Sequence, residues 1–310
     1  MSEERLTSED GPASTQTFMP LRQPARDLIR RRYSCRAYRG DPIAAETQRE
    51  LAEFIAANTV GPLGSRARFA LVAASHGDSA ALKRLGTYGF IKGATGFVAG
   101  AVRQAPKDLE DYGYLLERAI LCATGLGLGT CWLGGTFRKS SFAARLGGLQ
   151  HDEVMAAVVS TGYPGDDGRE RIREREEGSR RLPPAELFFA QGFGEPLGVD
   201  GAGEYAAALE AVRMAPSATN KQPWRIVRRG RDWHFLLQRT KGYGAGTALF
   251  AVLRLADLQR VDMGIAMCHF EMTARELGLA GDWVIEDPFL PVPGRGVEYT
   301  ATWRAAGAES

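Results

Sequence analysis

Cysteine and histidine are both scarce in this chain: 310 residues hold four of each. The cysteines (Cys35, Cys122, Cys131, Cys268) and the histidines (His76, His151, His234, His269) fall at unrelated spacings. No C-x-x-C pair occurs, which excludes a zinc ribbon and a disulfide-built scaffold. Long apolar runs are missing too. The longest uncharged stretch, Ala119 to Phe137 apart from its ends, is broken by glycines and does not read as a membrane span. Charge of one sign is also absent: 39 Lys and Arg face 37 Asp and Glu, leaving +2, which is no footprint for nucleic acid or an anionic membrane. The first sixteen residues, MSEERLTSEDGPASTQ, lack the apolar core of a secretory signal. The expectation is a soluble, cytoplasmic chain that binds neither metal, membrane nor nucleic acid, with residues 1–20 as a disordered tail.

What the chain does contain is an internal repeat. Asp111, Gly113, Ala123, Leu126, Gly127, Leu128 and Trp132 recur as Asp262, Gly264, Ala274, Leu277, Gly278, Leu279 and Trp283, every pair 151 positions apart. A looser echo joins VGPLGSRARFALV (60–72) to MAPSATNKQPWRIV (214–227). In each copy a helix is expected to start near the aspartate, where a carboxylate suits the positive end of the dipole, and to stop at Gly127 or Gly278. Both helices are apolar on most faces, the pattern of a buried helix. FALVAAS, FVAGAV, VMAAVVS, WRIV, WHFLLQ and EYTATW read as strands. Their irregular alternation with helices favours an α+β layered sheet fold over a doubly wound one. The charged stretch GDDGRERIREREEGSRRLPP (165–184) reads as a solvated connector. The expected organisation is a first half at 21–164, a connector at 165–182 and a second half at 183–310.

Three segments carry chemistry. IRRRYSCRAYRGDPI (29–43) crowds Arg30, Arg31, Arg32 and Arg36 around Ser34. It reads either as a basic helix end or as a set of forks for phosphate oxygens. In MAPSATNKQPWRIV, Ser217, Thr219, Asn220 and Gln222 lie between Pro216 and Pro223, which restrict the backbone. A capped turn before a strand accounts for it equally well. GLGLGTCWLGG (125–135) follows a helix and lacks the dinucleotide-binding glycine spacing. Its glycines let a backbone approach a flat ligand, with donors at Gly134 and Gly135.

Together these segments resemble the nitroreductase-family flavoproteins: RRYSCRAY resembles the family's R-R-S-x-R segment, PSATNKQPW its P-S-x-x-N-x-Q-P-W loop, and LGLGTCWLGG the helix and loop beside the flavin. The early position usual for the loop holds GPLGSRAR (61–68), without the asparagine. The chain therefore resembles a fused-repeat branch, an internal pseudo-dimer acting as a monomer, with one composite flavin site intact. The resemblance implies a nitroreductase-like fold and FMN held by Arg32, Ser34 and Arg36, with Tyr33 beside them. It implies Pro216, Ser217 and Asn220 reaching across from the other half. Gly134 and Gly135 would approach flavin N5, Lys92 the N1/O2 edge, and Arg180 (or Arg181) the phosphate. It further implies NADH or NADPH as donor and a small-molecule electron acceptor, nitroaromatic or quinone-like, reduced by ping-pong hydride transfer with no catalytic side chain. The alternative is a non-catalytic flavin-binding carrier or sensor.

Overall fold

The computed structural model describes residues 19–74, 91–135, 137–165, 180–241, 256–294 and 296–307. The expected tail and most of the connector lie outside them. Two helices dominate the middle: α3 (Asp108–Gly125) and, after the shorter α1 (Ala25–Arg31), α2 (Ala45–Ala57), α4 (Lys139–Arg145) and α5 (Ala206–Met214), the last helix α6 (Leu258–Glu276). As the composition of their faces requires, sixteen of the eighteen residues of α3 are buried. Both helices end in the same way. Gly127 and Gly278 take φ of +78° and +77°, and Leu128 and Leu279 each donate to an alanine carbonyl, Ala123 or Ala274, at 2.9 Å. Only glycine adopts that conformation without steric cost, so the repeated glycine is a repeated helix stop.

Each central helix carries its own sheet. In the first, β1 (Ala67–Ala73), β2 (Gly96–Arg103), β5 (Val158–Gly162) and β3 (Gly129–Leu133) lie side by side in that order, and the two-residue β4 (Glu153–Val154) also pairs with β2. In the second, β6 (Phe188–Ala190) runs parallel to β7 (Trp224–Arg229), followed by β8 (Asp232–Gln238), β10 (Val297–Ala305) and β9 (Gly281–Val284). The paths β1-β2-β5-β3 and β7-β8-β10-β9 have the same order, and α3 and α6 occupy the same place in each. This is the α+β layered fold with pseudo-symmetric halves. One continuous apolar core runs from Leu28 to Trp303 through both.

The helices cross where their glycines meet. A Cβ on Gly113 would lie 2.1 Å from the carbonyl oxygen of Val261, and one on Gly264 would lie 1.8 Å from that of Glu110. These contacts are reciprocal, because Glu110 and Val261 are themselves 151 positions apart, as in a two-fold interface.

Some local readings are corrected. VMAAVVS is not one strand: it divides into β4 and β5, with Met155 to Ala157 between. Asp111 stands in the first turn of α3, as expected, but Asp262 lies beyond the first turn of α6, and both aspartates have a further role. The helices begin three or four residues earlier, and Asp257 caps α6 by accepting from the N–H groups of Gln259 and Arg260. Asp111 accepts from Leu63 N (2.8 Å) and Ser65 N (2.7 Å), and Asp262 from Ala218 N (3.0 Å). Each carboxyl thus ties down the loop that precedes the first long strand of its own half.

Candidate functional site

α1 stops at Arg31 because Arg32 turns extended (φ −64°, ψ 133°), its N–H still bonded to Leu28 O. From there the chain runs along the edge of the first sheet. Cys35 N donates to Thr130 O on β3 at 2.8 Å, Lys92 N to Arg36 O and Tyr38 N to Lys92 O, both at 2.9 Å. Side chains alternate along such an extended segment. Cys35 is therefore buried while Arg36 stays exposed and Ser34 half-buried.

The second wall is the loop between α5 and β7. Three non-glycine residues there take left-handed backbone angles: Thr219 (φ +50°), Asn220 (+56°) and Gln222 (+48°). Such residues persist only where surroundings over-determine them, at roughly 1–3 kcal/mol each. The surroundings are visible. Asn220 Nδ2 and Gln222 Nε2 both donate to Arg180 O (3.1 and 2.9 Å), Arg181 donates to Asn220 Oδ1 (3.0 Å), and Leu182 N to Gln222 Oε1 (2.9 Å). Ser217 Oγ accepts from Gln222 N at 2.9 Å. Burial pushes the Asp262 carboxyl well above the usual carboxylate range, against the pull of the Ala218 N–H.

Between these walls lies a cleft of about 450 Å³. Ser34, Arg36 and Ile91 line one side; Pro216, Ser217, Ala218 and Thr219 line the other. The back is apolar, from Trp132 and Leu133 of β3 to Leu258, Val261 and Ile265 of α6, and Gly134 and Gly135 form the rim. A Cβ on Gly134 would press on the Leu258 side chain, which would have to shift, whereas a Cβ on Gly135 would meet nothing within 4 Å.

Of the expected site residues, the structure brings Ser34, Arg36, Gly134, Gly135, Pro216 and Ser217 to this one cleft. Arg32, Tyr33, Lys92, Arg180 and Asn220 are not on its lining. The Arg32 guanidinium is buried, with Nε 3.8 Å from Glu117 Oε1. Lys92 and Arg180 are exposed, and Asn220 is engaged with the two arginines. Arg181 spends its fork on Ala215 O, Met214 O and Asn220, bracing the loop. Sequence reasoning passed over Trp132 and Asp262 as site residues, although the repeat marked both, and over the apolar wall of α6, whose residues look like any buried helix.

The lining sets the Ser34 and Ser217 hydroxyls, the Arg36 guanidinium and the Asp262 carboxyl among apolar side chains, a set that can hydrogen-bond an anionic ligand with an apolar body. The comparisons place the chain in a class. A family model described as "Putative TM nitroreductase" matches residues 26–274, and the chain belongs to that nitroreductase family. The fold is similar to that of a putative nitroreductase from Thermotoga maritima, at a TM-score of 0.59 and 17% identity, over 95% of this chain and 99% of that one. A Desulfovibrio desulfuricans nitroreductase solved in complex with FMN matches at 23% identity and a TM-score of 0.40, over 53% of this chain and 94% of that one. A Bacteroides fragilis nitroreductase with bound FMN matches at 20% and 0.38, over 47% and 91%. Among curated proteins, none matches.

Proposed function

We propose that this chain is an FMN-dependent oxidoreductase whose single cofactor site is the cleft between the Ser34–Arg36 segment and the Pro216–Thr219 loop. The observation that carries the reading is that cleft. Segments some 180 residues apart in sequence, each singled out by its residue types, face one another across a slot with an apolar back. Flavin would supply the redox chemistry, taking hydride from NADH or NADPH and passing electrons to a small nitroaromatic- or quinone-like acceptor. The chain's part is to bind and orient. Arg36, Ser34 and Ser217 offer charge-assisted and neutral hydrogen bonds to phosphate, ribityl and ring-edge oxygens, each worth about 0.5–3 kcal/mol. Gly134 and Gly135 would offer backbone donors, and the apolar side chains of Trp132, Val261 and Ile265 would shield a bound ring from water. Arg32, Tyr33, Lys92, Arg180 and Asn220 support this site from outside its lining, through charge or by bracing the loop.

We infer that the two halves, 21–164 and 183–310, descend from a duplication. The matched strand order and the reciprocal glycine contacts support it. At the place related to the cleft by the 151-residue register, Leu258, Val261 and Ile265 correspond to Lys107, Glu110 and Tyr114. These are engaged: Lys107 Nζ donates to Tyr299 O (2.7 Å), Glu110 accepts from Arg260 (2.6 Å) and Tyr114 donates to Glu271 (2.8 Å). One composite site per chain follows. The test is to purify the protein and mix it anaerobically with NADH and NADPH. Bleaching of a bound flavin band by either donor supports the enzyme. A yellow protein that neither donor bleaches would be a carrier or sensor, and a colourless one that FMN does not restore would refute the site.

A further inference from the structure

Behind the apolar wall lies a charged cluster that the cofactor reading does not use. Trp132, which lines the cleft, donates its indole N–H to Glu117 Oε2 at 2.8 Å. The other oxygen, Oε1, lies 2.9 Å from His269 Nε2 and 3.8 Å from Arg32 Nε. Nδ1 of the same imidazole lies 2.9 Å from the carbonyl oxygen of Ala211. The Glu117 and His269 side chains are both 0% exposed. Four separate elements close this cluster: α3 gives Glu117, α6 His269, α5 Ala211, and the extended segment after α1 gives Arg32.

Counting hydrogens decides its charge. A carbonyl oxygen only accepts, so Nδ1 carries a hydrogen. One further hydrogen must lie between Nε2 and Oε1. It belongs to the imidazole, because the indole N–H on Oε2 and the guanidinium beside Oε1 both favour an ionised Glu117. A neutral Glu117 would also leave the buried guanidinium without a counter-charge, which is costly. The cluster therefore contains two cations and one anion. Of the neighbouring charged groups, Glu271 of α6 is ion-paired with Arg275, whereas Arg118 of α3, which donates to the neutral Met19 O, adds to the positive side. The Cys268 thiol is held neutral, first by burial and then by Glu117. Among the described residues Arg32 forms an ion pair with Glu117 alone, so no second described carboxylate cancels the excess. The cluster is also one-sided. In the 151-residue register Glu117 corresponds to Cys268 and His269 to Arg118, so the related place in the other half lacks the pair.

We propose that His269 is a positioning residue that holds a positive charge for the cleft. As a buried imidazolium it fixes Glu117, and through it the indole of Trp132, and it leaves one net positive charge behind the ring-binding wall. The ligand this selects is a planar heteroaromatic that carries or acquires negative charge. Resting on the FMN reading, the cleft binds the reduced, anionic cofactor in preference to the oxidised one.

The first test is nitrogen NMR on the full-length protein labelled in its four histidines. The expected result is that both His269 ring nitrogens are of the protonated type. A neutral-tautomer pattern there would overturn the proposal. Assignment uses His269→Gln; if that variant fails to fold, Gln variants of His76, His151 and His234 assign it by elimination. The second test compares affinities for oxidised and dithionite-reduced FMN. His269→Gln should lose roughly tenfold more affinity for the reduced form, the order of effect expected for one unit charge at an effective dielectric near 20. Equal losses for both forms would refute the charge role. Wild-type protein that binds neither form would refute the FMN site, while the NMR result would still decide the state of His269.

Discussion

Placing a methyl group at the helix crossing is the most direct perturbation of this architecture. To bring a Cβ at Gly264 from 1.8 Å to 3.0 Å of Glu110 O, α3 and α6 must part by about 1.2 Å; at Gly113 the same arithmetic gives about 0.9 Å. The obstructing atoms are backbone carbonyls, so no side chain can rotate away. Overpacking of this kind costs about 1–3 kcal/mol, and alanine returns about 0.8–1.0 kcal/mol of helix propensity. With backbone on both sides the cost belongs at the upper end of that range, so Gly264→Ala should lose a net of about 2 kcal/mol, and Gly113→Ala somewhat less. Both push the same pair of helices apart, so the double variant should cost less than the sum of the singles. Gly125→Ala is the control. Its Cβ would meet nothing closer than Leu28 Cδ2 at 3.5 Å, and it should be neutral or stabilising by up to about 1 kcal/mol. Urea midpoints at unchanged m-value measure all four. A Gly264→Ala protein as stable as wild type, or strict additivity in the double variant, would refute the close reciprocal crossing.

Other outcomes are equally specific. Burial pushes the Asp111 carboxyl up to about 7, so the folded state keeps a proton that the unfolded chain releases near pH 4. Its contribution is therefore fully present below about pH 4, is lost as pH rises towards 7, and is flat above, with a slope of at most about 1.4 kcal/mol per unit. Asp111→Asn should remove this slope, and a wild-type-minus-variant difference that stays constant from about pH 5 to 7 would contradict it. FMN should copurify at about one per chain; Arg36→Ala and Ser217→Ala should lower that occupancy by about tenfold, while the exposed Arg66→Ala should leave it unchanged. Asn220→Ala should destabilise by about 1–3 kcal/mol, losing its bonds to Arg180 and Arg181 and forcing alanine into a left-handed backbone. Asn220→Gly, spared the backbone cost, should fall between it and wild type in urea denaturation.

The legible parts of this fold were those that repeat or follow a local period. The central helices announced themselves by apolar residues on most faces and by a glycine stop occurring twice. The cleft walls were marked by unusual residue types: arginine with serine in one, serine, asparagine and glutamine between prolines in the other. What escaped depends on contacts far apart in sequence. Asp111 looked like a helix-dipole partner only, because its hydrogen-bond partners, Leu63 and Ser65, lie more than 45 positions away. Strand β3 was hidden because GTCWL is short and flanked by glycines, and only its pairing with β5 makes it a strand. The Arg32 guanidinium faces Glu117, 85 positions on, a pairing that no local pattern encodes. Likewise Val261 and Ile265 carry no mark of a binding surface; the cleft exists because α6 lies opposite β3.

The meeting of Gly113 with Val261 and of Gly264 with Glu110 shows what a joined chain can do that two identical chains cannot. In a symmetric pair any side chain beside the crossing appears on both flanks of the axis. A glutamate able to grip Arg260 would then also project into the oily slot, and a valine that suits the slot would leave that arginine with Asp108 alone. With both flanks written separately in one polypeptide, one can be sealed by ion pairs while the other stays open.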